Sequence, residues 1–243
     1  MLTQFSFYSY LGFILFGTLF SEKLEFNSNW GAINISNNAD NLNNDKIETV
    51  ILNHIKYIDL NFPNINNDII NISIINNQTK YNSHIWKWSL GITRGMNTII
   101  LKHPSVSHIS NERFNKVLKH ELNHIYLNRL NSLNKDIPRW FAERFCLKFA
   151  SEISMSHSLN ILKYLHNESM FDIDRLDDLF SNNNKIDFNF AYSLSAIMIN
   201  VMTNLYGEDT IYKILYNLNN GVSFEDSFYN STLVELDTFN ISP

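Results

Sequence analysis

The chain has 243 residues, 44% of them hydrophobic, with 19 Lys and Arg against 24 Asp and Glu for a formal net charge of −5. That length and apolar content suffice for one large or two small domains with a real core, while the mildly acidic balance and the lack of a basic cluster exclude nucleic acid as an evident partner. Cys146 is the single cysteine, so an intrachain disulfide is excluded; between Phe145 and Leu147 it reads as a small buried hydrophobe.

Phe5 to Phe20 is nearly all apolar or aromatic, and the first charges are Glu22 and Lys23. The run suits the apolar stretch of a signal peptide and is shorter than the roughly 20 residues of a membrane span. No Lys or Arg precedes it, and Leu19-Phe20-Ser21 is a poor cleavage signal. Residues 1–21 are expected to be a signal peptide or membrane anchor, placing the protein outside the cytoplasm or tethered through its N-terminus; the alternative is a buried strand or helix of the fold. Residues 22–243 are expected to form one domain.

Leu24 to Ile35 holds a strand interrupted at Trp30-Gly31, and Asp40 to Leu60 reads as a helix with Ile47, Val50, Ile51, Ile55 and Ile58 on one side. Pro63 ends it. Ile70 to Ile74 alternates as a strand does, with a turn at Asn76-Asn77. His84 to Leu90, where Trp86 and Trp88 share a face, and Asn97 to Leu101 read as two more strands joined through Gly91 and Gly95. From Ser110 onward the pattern is almost wholly helical, and Asp172 to Asp178 reads as a solvated helix start, not a calcium loop. The order predicts an α+β fold. A mixed sheet with a backing helix (22–110) precedes a mostly helical lobe (111–243), with the active site between them.

The chemistry sits at the junction. His120-Glu121-Leu122-Asn123-His124 is an HExxH pattern on a predicted helix from Asn111 to Leu130, capped by Ser110 or Asn111 and paced by Phe114, Val117, Leu118, Leu122 and Ile125. Two histidines four residues apart project from one helix face and can reach one metal ion, and the adjacent Glu121 can hold a water against it. Such a site wants a third protein ligand. Downstream, Pro138 opens a second helix that Asp136 can cap, and Glu143 falls among Trp140, Phe141 and Phe145, where a buried carboxylate needs a partner such as a metal.

HELNH followed by Glu143 in a Pro-x-Trp-x-x-Glu setting resembles the gluzincin metallopeptidases, above all aminopeptidase-N-like enzymes and the small bacterial peptidase MA-like domains. The run from Ala191-Tyr192 through Tyr206-Gly207-Glu208 to Gly221–Phe228 adds to the likeness. The resemblance implies a zincin-like fold, a Zn2+ cofactor held by His120, His124 and Glu143, Glu121 as general base, and a tyrosine from a later helix, here Tyr192, as oxyanion donor. Arg139, Arg144 and His157 are further donor candidates. It also implies a peptide or protein substrate laid along a sheet edge, for which Met96 to Leu101 is the candidate.

Two positions depart from the family. Arg144 stands where a glycine usually follows the third ligand, and Ile69 to Asn111 contains no Asp or Glu to grip a free amine. The expected activity is therefore endopeptidase more than aminopeptidase. The alternatives are a catalytically silent binding module and a hydrolase of non-peptide substrates.

Overall fold

The computed structural model describes residues 22–37, 44–77, 89–130, 137–152, 174–181 and 185–239. Strands β1 (Glu22–Ser28) and β2 (Gly31–Asn37) form an antiparallel hairpin across the expected break at Trp30-Gly31. Gly31 takes φ +107 and lies against the Asp68 backbone, so only a residue without Cβ turns the chain there. Helix α1 (Asn44–Asn61) follows and buries Ile47, Ile51, His54, Ile55 and Ile58. Trp30 Nε1 donates to Asp59 Oδ1 at 2.7 Å, tying the hairpin to this helix.

Among the described residues, strands β3 (Ile70–Ile75), β4 (Gly91–Arg94) and β5 (Thr98–Lys102) complete a mixed five-stranded sheet of order β1-β2-β3-β5-β4. β3 runs parallel to β2 and β5, and β4 is antiparallel to β5. Two expectations are corrected here. Gly91 to Arg94 is itself a strand and not a connection, with Gly95 at φ +59 turning the chain after it; His84 to Trp88 lies outside the described residues. The segment expected to be the sheet edge, Met96 to Leu101, is mostly β5 and is interior, because β4 folds back antiparallel and covers it.

After the single-turn α2 (Pro104–Ser107), helix α3 (Asn111–Leu130) has the expected bounds. Helix α4 (Arg139–Phe149) has Pro138 at its N-cap, where the ring's fixed φ leads the chain into the helix; Asp136, the expected cap, lies outside the described residues. Helices α5 (Asp174–Ser181), α6 (Lys185–Tyr206), α7 (Thr210–Asn219) and α8 (Phe224–Thr232) fill the second half. The fold is α+β, sheet first and helices after, as the periodicities predicted.

One hydrophobic core runs from Trp30 to Phe239 and joins α1, the inner sheet face, α3, α4 and α6. Strand alternation sends Ile72, Ile74, Ile99 and Leu101 into it, while Ile75, Ile92 and Ile100 cluster on the other face. Among the described residues no helix is long and apolar enough to cross a membrane, and Phe5 to Phe20 lies outside them.

Candidate metal centre

Phe114, Leu118, Leu122 and Ile125 bury one side of α3, which leaves His120 and His124 facing α4. Their Nε2 atoms are 3.1 Å apart. Glu143 Oε2, from the second turn of α4, lies 3.4 Å from each. Ligands about 2.0–2.1 Å from a tetrahedral zinc sit about 3.3–3.4 Å from one another, so these three atoms are spaced like one face of such a tetrahedron. The donor set fits a divalent cation. Cys146 brings its buried thiol within 4.8 Å of both imidazoles, but Glu143 is nearer. Burial, then the charge of Glu143, pushes the thiol well above its ordinary pKa.

Three buried carboxylates surround the imidazoles: Glu121, Glu143 and Glu152. Burial acts to lower the pKa of His120, but the Glu143 and Glu152 carboxylates beside it, with the charge of Glu121, outweigh it and raise it well above its ordinary value. Burial acts to raise Glu143, and the histidines outweigh it in turn, holding this carboxyl well below the usual range. A field that holds a proton on a buried imidazole attracts any cation placed there.

Glu152 was missed by the sequence reading. Its Oε2 lies 3.0 Å from His120 Nδ1, and its Oε1 is 3.0 Å from Arg113 Nη1. His120 Nδ1 has no aligned hydrogen-bond acceptor, so this approach is charge pairing at an oblique angle. The carboxylate is delivered by the end of α4: Glu152 N–H donates to Leu147 O at 3.0 Å and Ser151 N–H to Lys148 O at 3.3 Å. That is a Schellman turn, with Ser151 at φ +58 where glycine is usual. A carboxylate behind a metal-facing histidine orients the ring and fixes which nitrogen points inward.

Glu121 points to the sheet. Thr93 Oγ1 lies 2.9 Å from both the Glu121 main-chain carbonyl and Oε2, donating into that fork. Burial raises the Glu121 pKa. A Cβ on Gly91 would stand 2.8 Å from Glu121 Oε1 and 2.9 Å from Glu121 Cγ and Val117 Cγ1, so the glycine is what lets α3 press its glutamate against β4. Lys102 N–H donates to Leu90 O at 2.9 Å, and the register pairs Gly91 with Leu101 and Thr93 with Ile99. By antiparallel alternation, the main-chain N–H and C=O of Gly91 and Thr93 therefore face away from β5, on the side that no described strand covers, where the Gly91 carbonyl also accepts from Ser89 Oγ at 2.5 Å.

Tyr192 of α6 donates its hydroxyl to Glu143 Oε2 at 2.7 Å, which brings this residue to the centre. Arg139 reaches Glu143 Oε1 at 3.4 Å and donates to Phe180 O. Arg144 is buried in the helix packing and donates to Asn200 Oδ1 of α6 at 3.2 Å. His157 lies outside the described residues. His54, set aside on sequence, is buried on α1 with Nε2 2.8 Å from Asn123 Oδ1.

A family profile described as the peptidase MA superfamily matches residues 65–241. No curated protein matches the chain.

Proposed function

The chain belongs to the peptidase MA superfamily, and from that premise we propose that it is a zinc-dependent metallopeptidase of the gluzincin type, cutting peptides internally. The observation that carries this reading is the convergence of His120 Nε2, His124 Nε2 and Glu143 Oε2 within 3.4 Å of one another. These three residues are the proposed ligands. A zinc ion held by them would supply Lewis acidity toward the scissile carbonyl and would lower the pKa of a bound water towards about 7.

Glu121 then takes the water's proton on the oxygen nearer Gly91, Thr93 engaging the other, and hands it to the leaving amine. Tyr192 is the proposed oxyanion donor, its hydroxyl turning from Glu143 towards the developing charge. An extended substrate pairs with the outward main-chain groups of Gly91 and Thr93, with side-chain pockets setting specificity. Gly91-Ile92-Thr93-Arg94 offers no carboxylate for a free N-terminal amine, which supports endopeptidase over aminopeptidase action. Residues 22–243 are proposed to act as one catalytic domain, exported or membrane-tethered through residues 1–21.

The test is cleavage of a mixed peptide library by zinc-loaded wild type and by Glu121→Gln, read by mass spectrometry. Internal cuts made by the wild type and lost by at least a hundredfold in Glu121→Gln, with zinc retained, are expected. Normal turnover in Glu121→Gln would overturn the mechanism. No cuts by zinc-loaded wild type would move the reading to a silent or non-peptide member.

A further inference from the structure

The metal helix is held from two sides. At 3.6 residues per turn, the His120 and His124 side chains leave α3 about 40° apart, Glu121 leaves it about 80° to one side of their mean direction, and Asn123 about 80° to the other. Thr93 anchors the Glu121 side. On the Asn123 side, Nδ2 donates to the Cys146 carbonyl of α4 at 3.3 Å, and with the amide nitrogen so committed, Oδ1 accepts from His54 Nε2–H at 2.8 Å. Asn123 is fully buried and His54 is 3% exposed, so neither has water as a substitute partner. Residues of α3, α4 and α1, the last of them 69 positions earlier in the chain, thus meet at one amide.

We propose that His54 is a positioning residue of the metal centre, fixing through Asn123 the rotation of α3 that aims both histidines at one point. The proposal rests on the metal-binding part of the function proposed above and not on peptide cleavage. His54 lies before residue 65, where the family match begins, so the match assigns it nothing. A buried imidazole needs a hydrogen-bond partner in any role; what points beyond packing is that this partner is an amide of the metal helix that also reaches the helix carrying Glu143. Burial holds the imidazole down at about 4, so it stays a neutral donor through the physiological range.

The test uses the full chain, with Zn2+ titrated against a chromophoric chelator and Co2+ bound in its place for its visible spectrum. His54→Leu is expected to weaken zinc about 10- to 100-fold and to change the cobalt bands, as loss of an outer partner does. His54→Gln, which restores an N–H donor, is expected to recover most of both. The denaturation midpoint without metal is read alongside. A His54→Leu protein with a lowered midpoint but wild-type zinc affinity and cobalt bands would overturn the proposal and leave His54 a packing residue. Should His54→Leu fail to fold, Asn123→Ser shortens the same link from the other end and carries the same expectation. Wild type that takes up no zinc would overturn the metal reading itself, and this inference with it.

Discussion

Gly91→Ala separates a strand glycine of no consequence from one that makes room for catalysis. Gly91 has no left-handed φ, so its backbone suits alanine, and at an ordinary strand position the change would stabilise by about 0.4–1 kcal/mol through the unfolded chain. Here the new methyl would meet Glu121 Oε1 at 2.8 Å, and Glu121 Cγ and Val117 Cγ1 at 2.9 Å. Relieving three contacts to about 3.4 Å needs roughly half an ångström of movement between β4 and α3, an overpacking that costs about 1–3 kcal/mol. For a chain of this size that is a fall of roughly 2–12 °C in Tm. The movement displaces Glu121 itself, and since a misplacement near 1 Å can cost about a hundredfold, a loss of about tenfold in kcat is expected. Thermal denaturation and peptide cleavage measured on the same preparation check both. An alanine variant as stable as wild type, with unchanged turnover, would refute the close-approach argument outright.

Glu152→Gln keeps an acceptor near His120 and removes the charge, so zinc affinity is expected to fall about 10- to 100-fold in a chelator competition. Acid should unfold the protein partly through His54. Its pKa is about 4 in the fold against an ordinary 6.5, so the unfolded chain binds the extra proton, and stability present above pH 6.5 is lost as pH falls towards 4. The loss is roughly 3 kcal/mol from this group, checked as the difference in urea midpoint between pH 7 and pH 4.5 for wild type against His54→Gln, which should lack that share. Ser151→Gly relieves the left-handed conformation at the end of α4 and is expected to stabilise by about 1 kcal/mol, seen as a rise of roughly 2–4 °C in Tm.

The helices were legible because local signals set them. Ser110 accepts from Arg113 N–H as a cap should, and Phe114, Val117, Leu118, Leu122 and Ile125 bury the face their spacing marked. His120, His124 and Glu143 needed only that geometry plus one packing between helices. The strand order was not legible, because pairing β3 with β5 and leaving β4 outermost among the described strands is decided by contacts far apart in the chain. Gly91 did carry a signal: a glycine within an alternating run marks a close approach as readily as a turn. Glu152 carried none, since a serine in a left-handed turn, not a glycine, directs it back to His120. Asn123, at an unconstrained position of the motif, shows its role only once α1 has docked.

Arg129, in the last turn of the metal helix, donates to the carbonyls of Met96, Trp30, Asn66 and Asp68, partners 33, 99, 63 and 61 residues earlier. Loops of that length must close before such contacts repay their entropy. Docking of the helix end onto the hairpin turn is therefore expected late, near the rate-limiting event of folding. On a growing chain, His120 and His124 emerge before Arg129, while Glu143 and Glu152 emerge after it. The ligands of the centre thus come from both sides of this anchor, and the late docking that fixes the helix end also fixes the helix on which two of them stand.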